Sequence, residues 1–138
     1  MKGGLGGEES NPVGLTSYVL ISLLEAGEDA TSRAVSEAQF CLAANEDPTE
    51  PYTLALTAYA LALAGSPRAE ETLDALLVLG ESSPSGLSWR VGGGSAVAVE
   101  TAAYALLAIT TLGGHEDQAV KVGHAGQPKQ VDYLTCSD

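Results

Sequence analysis

Three apolar segments of this chain align on a tyrosine: Leu15-Thr16-Ser17-Tyr18-Val19-Leu20, Leu56-Thr57-Ala58-Tyr59-Ala60-Leu61 and Thr101-Ala102-Ala103-Tyr104-Ala105-Leu106. The tyrosines stand 41 and 45 residues apart. A period of that size in a helical chain marks tandem helical hairpins, each burying its apolar face against the next. The segments are apolar on nearly every face, as in Leu54 through Leu63, so helices built from them must be covered on all sides.

Turn chemistry sets the limits of these helices. Asn11-Pro12 joins a capping residue to a proline at the first helical position, and an apolar run from Val13 to Ala26 stops at Gly27. Glu28-Asp29 opens a second helix over about Ala30 to Ala44. Pro51 starts a third, over Tyr52 to Ala64, that stops at Gly65. Ser66-Pro67 repeats the cap-then-proline signal for a fourth, over Arg68 to Leu79, closed by Gly80. Ser82 to Gly94 reads as loop, with an extended piece at Leu87–Val91. A fifth helix covers Ala96 to Leu112 and stops at Gly113-Gly114; a sixth begins at Glu116 and fails after Val122, where Gly123, Gly126 and Pro128 follow. The second and fourth carry a single apolar stripe, as Ala69, Leu73, Leu76 and Leu77 show. Inner and outer helices therefore alternate. The expected fold is all-α, about three helical hairpins that give either a solenoid or, if the array closes, an α/α toroid of the terpenoid-cyclase kind, of which three hairpins make only an arc, since a closed ring takes about six.

At 138 residues the chain suffices for one small domain. Six Lys and Arg against 18 Asp and Glu give a net charge of −12, which opposes binding to nucleic acid or to anionic membrane surfaces. Met1-Lys2 runs into Gly3-Gly4-Leu5 without an apolar stretch, so no export signal is expected here. Nor is membrane insertion expected, because Ala96–Leu112 contains Glu100, Thr101, Thr110 and Thr111 and falls short of roughly 20 residues. Cys41 and Cys136 are too few for a disulfide scaffold and lack metal-ligand spacing. They could pair, stay reduced or meet thiols outside this chain.

Further blocks extend the pattern: Gly3-Gly4-Leu5, then Gly14 through Glu25, Pro51 through Ala62, Trp89, and Val99 through Leu107. In this order and spacing, from Gly3 to Val122, they resemble the middle of the thioester domain of the alpha-macroglobulin and complement family. The resemblance implies the α/α toroid over residues 1–122, with a divergent, irregular tail over 123–138. It implies a secreted, extracellular parent chain that acts in protease inhibition or innate immunity, with proteases or cell-surface targets as its partners. The family's reactive bond joins Cys to Gln in a Gly-Cys-Gly-Glu-Gln motif. Here Cys41 is followed by Leu42-Ala43-Ala44 and Cys136 by Ser137-Asp138, and His115 and His124 do not match the family's catalytic histidine. No thioester is expected in this segment.

Other candidate chemistry is thin. His115-Glu116-Asp117 offers a metal one imidazole, and reads better as acids at a helix start. Glu46, Asp47 and Glu50 lack the ordered spacing of a calcium loop. Gly92-Gly93-Gly94 precedes a helix but has only Arg90 nearby to hold a phosphate. Glu100, among apolar neighbours, is expected to cap backbone N–H groups or to bond to an adjacent helix. Tyr18, Tyr59 and Tyr104 are expected to pack, with hydroxyls bonded between helices. Thus no catalytic, cofactor-binding or metal-ligating residue is assigned, and no cofactor.

Three functions fit a chain of this kind. It is a non-enzymatic segment of a thioester-domain protein, partnered by the rest of that chain; a free-standing helical-repeat binding module; or a piece of a prenyltransferase or terpenoid cyclase. The last needs a spaced aspartate cluster or a zinc site, and the acidic pairs Glu8-Glu9, Glu28-Asp29 and Glu46-Asp47 each lie at a helix end. The resemblance favours the first. Three hairpins of a ring leave apolar flanks open, so the isolated chain is expected to self-associate.

Overall fold

Proline at the first turn and glycine past the last place most helix ends where the sequence puts them. In the computed structural model, which describes residues 12–45 and 50–126, α1 spans Pro12–Glu25, α2 Arg33–Asn45, α3 Pro51–Leu63, α4 Arg68–Val78, α5 Ser95–Leu112 and α6 Glu116–Gly126. Between α4 and α5, β1 (Glu81–Ser83) and β2 (Gly86–Ser88) form an antiparallel hairpin in which Ser82 faces Leu87. The chain is thus mostly helical, as expected.

Helices α1 and α3 end identically. After α1 the amide of Glu28 donates to Leu23 O (2.9 Å) and that of Gly27 to Leu24 O (3.1 Å); after α3 the amide of Ser66 donates to Leu61 O (2.9 Å) and that of Gly65 to Ala62 O (3.1 Å). These paired bonds need a left-handed residue, and Gly27 and Gly65 supply it with φ of 95° and 71°. Gly80 serves differently: a Cβ there would lie 2.7 Å from Leu87 Cδ1, so its bare backbone lets β2 close onto α4.

Three local expectations change. Asp29 makes a tight turn instead of opening α2: its Oδ1 accepts from the Thr31 amide and hydroxyl, both at 2.7 Å. Those bonds hold the Asp29 carboxyl below its usual range. Ser32 then caps the helix, its Oγ accepting from Val35 N at 3.3 Å, and α2 starts three residues later than expected. The segment after α4 pairs as a hairpin, whose β2 overlaps the expected extended piece at Leu87 and Ser88 and whose β1 falls where loop was expected. Helix α6 continues through Gly123 to Gly126; a single glycine costs about 1 kcal/mol of helix propensity, which the burial of the adjacent Val122 offsets. Glu46 and Asp47, residues 127–138 with Cys136, and the side chain of His124 lie outside the described structure.

Packing follows the alternation. Helix α3 lies between α1 and α5 and rests on α4; α2 packs on α1, and α6 on α5 and β2. Every residue of α3 from Tyr52 to Ala62 is buried. Trp89, just past β2, is buried and donates its indole N–H to Leu76 O at 2.7 Å, pinning the hairpin to the end of α4. Helix α5, with 18 residues, is long and apolar enough by composition to cross a membrane, and here one side of it packs on α3 and α6.

Candidate functional site

The polar groups among the inner helices gather around their tyrosines. Tyr52 and Tyr59, two turns apart on α3, share one face. The Tyr52 hydroxyl donates to Glu100 Oε2 on α5 at 3.0 Å, and the Tyr59 hydroxyl donates to the Glu25 carboxylate on α1. The ring of Tyr104 stands 6.3 Å from that of Tyr59, tilted by 39°. Glu100 therefore ties neighbouring helices together, as expected. Of the repeat tyrosines, Tyr59 bonds across helices and Tyr104 packs on it, but Tyr18 is 44% exposed.

This cluster is built to keep phenols protonated. Burial, then the hydrogen bond to Glu25, pushes the Tyr59 hydroxyl up to about 12, and burial with Glu100 pushes Tyr52 higher still. Tyr104 is raised as well, by burial and by its neighbours Tyr18 and Glu100. A phenol held in this state donates hydrogen bonds and cannot act as a base or nucleophile near neutral pH. The folded chain binds these protons more tightly than the unfolded one, so their stabilisation is complete below pH 10 and is lost as pH rises towards about 12. Tyr59→Phe should therefore flatten the loss of stability across that window, read as urea midpoints at alkaline pH; an unchanged slope would count against the coupling.

The remaining sequence candidates disperse. Glu50, half-buried, caps α3, accepting from Tyr52 N (3.1 Å) and Thr53 N (2.7 Å). His115 contacts Glu70 of α4 through Nε2 at 2.8 Å, while Glu116 accepts from Gly114 N at 3.2 Å and Asp117 is exposed. Among the described residues, no three His, Cys, Asp or Glu come together as metal ligands. Arg90 reaches Glu81 at 3.4 Å, and Gly93 is small because a Cβ there would strike Val97 Cγ2 at 2.8 Å. Cys41 is half-buried on α2. The His115–Glu70 and Trp89–Leu76 contacts had no signal in the sequence, since each joins elements through a turn whose path the sequence does not set.

The feature that separates the inner helices from one another is their edges. Five and one residues before the repeat tyrosine, and three after it, stand Val13, Ser17 and Ile21 on α1 and Leu54, Ala58 and Ala62 on α3, all buried. The same positions on α5 are Val99, Ala103 and Leu107, all exposed, Val99 at 59%. Three before and one after the tyrosine, Leu56 and Ala60 on α3 and Thr101 and Ala105 on α5 are 0% exposed. Their counterparts on α1, Leu15 and Val19, are 55% and 46% exposed. The α1–α3 and α3–α5 seams thus share one register, and each end helix presents half of that seam to solvent. Of the three inner helices only α3 is covered on all sides, and the open apolar flanks are those of α1 and α5.

A family model and two known proteins match this chain. The model of the A-macroglobulin TED domain matches residues 1–125. Ovostatin of Gallus gallus is 42% identical over 67 residues, 47% of this chain and 4% of that protein. Complement C3 of Eptatretus burgeri is 35% identical over 111 residues, 74% of this chain and 7% of that protein. The chain spans a small fraction of either relative.

Proposed function

The chain belongs to the A-macroglobulin TED domain family, and from that premise we propose that it is a scaffold segment of such a thioester domain within a much larger secreted chain. The observation that carries this reading is the pair of half-seams. Val99, Ala103 and Leu107 on one side, and Leu15 and Val19 on the other, are built like positions that α3 buries completely. Each is an apolar surface for a further hairpin on the same register, and three hairpins then form an arc of a larger ring. Inhibition of proteases or a role in innate immunity would belong to the parent, which would also meet the proteases or cell surfaces concerned.

The segment's own contribution is structural. Neither cysteine is followed by glycine, glutamate and glutamine, so the thioester has no place in it. Tyr52 and Tyr59 are held as hydrogen-bond donors to carboxylates, which suits a rigid wall and no catalysis. An antibody to this chain, followed by reducing mass spectrometry of the native product, tests the reading. The expected species is many times 14.0 kDa, with macroglobulin-like peptides beyond the 138 residues. A native product of 14.0 kDa alone would overturn it.

A further inference from the structure

We propose that the 138-residue chain, standing by itself, pairs with a second copy into a closed two-fold ring, the exposed face of α5 in each copy seating on the exposed face of α1 in the other. The proposal concerns the chain alone and does not rest on a parent. The occupant follows from register: the α1 edge fits a helix carrying the Val13/Ser17/Ile21 or Leu54/Ala58/Ala62 positions, and α5 carries them, open, as Val99, Ala103 and Leu107. One chain therefore holds both halves of a seam that it already forms twice internally. Charge agrees with this. Copies bearing −12 each repel one another over most of their surfaces, whereas Leu15 and Val19 on α1 and the three α5 residues carry no charge. Because the halves differ, the contact is head-to-tail, and in the proposed pair two such contacts use both open faces of each copy, whereas an open chain of copies would leave one of each bare.

The internal seam also predicts which atoms meet. Ser17 Oγ of α1 lies 3.0 Å from Thr57 Oγ1 of α3. Shifted by one repeat, Ala103 of one copy takes the place of Ser17, and Thr16 of the other takes that of Thr57. Light scattering after gel filtration of the full chain should give twice 14.0 kDa. In a background of Cys41→Ser and Cys136→Ser, the double variant Thr16→Cys/Ala103→Cys should oxidise to a covalent dimer. Each single variant alone should stay uncrosslinked, and an equal mixture of the two should crosslink. These substitutions add no charge and remove no buried core side chain, and helical circular dichroism confirms the fold. A monomer in light scattering, crosslinking by either single variant alone, or a ladder of species beyond the dimer would each overturn the proposal.

Discussion

Replacing Trp89 with alanine should cost the fold about 3–5 kcal/mol, the range for removing a large buried aromatic side chain. Whole domains are stable by only about 5–15 kcal/mol, so this one change should leave the chain near the edge of unfolding. The effect is large because Trp89 does two things at once. Its ring is buried in the core, and its indole N–H holds the α4 terminus through Leu76 O. Trp89→Phe keeps most of the ring and loses the hydrogen bond, a change of about 1 kcal/mol. Urea unfolding followed by far-ultraviolet circular dichroism measures both. Equal losses for the two variants would mean that the bond, and not the buried ring, holds the hairpin.

The second large effect should distinguish residues that the repeat makes equivalent. Leu15 and Leu56 occupy the same position relative to their tyrosines, yet Leu56 is wholly buried and Leu15 is more than half exposed. Leu56→Ala should destabilise the chain by about 2–5 kcal/mol through lost contacts and the cavity left behind. Leu15→Ala should change it by no more than about 0.5 kcal/mol when the chain is dilute enough to be monomeric. At higher concentration the same variant should weaken self-association instead. Similar losses at both positions in the monomer would contradict the edge assignment.

The parts of the fold that could be read from the sequence are those set by local chemistry. Pro12, Gly27, Pro51, Gly65 and Gly113 mark helix limits because each acts through its own backbone geometry, whatever packs around it. The start of α2 was misplaced because Asp29 and Ser32 both compete for nearby amides, and only the path of the turn decides between them. Helix α6 outran its glycine because Val122 is buried by tertiary contacts, which no local rule weighs. The same limit hid the β-hairpin, whose strands of three residues give no alternation to detect. Of the polar cluster, Glu100 stands out by its apolar neighbours and the Tyr59 hydroxyl by its place in the repeat, but their partners, Tyr52 at 48 residues and Glu25 at 34, carry no signal that local sequence could show.

The two internal seams make this chain behave as a short one-dimensional array, in which each hairpin packs mainly on its nearest neighbours. The middle unit has two couplings and each end unit one, so opening starts at the ends, where α1 or α5 can fray while α3 stays packed on the other. A substitution on α3 acts on both couplings, whereas the same change on α1 or α5 acts on one. The array gains cooperativity with every neighbour added. Whatever occupies its edges therefore also sets how sharply the chain melts.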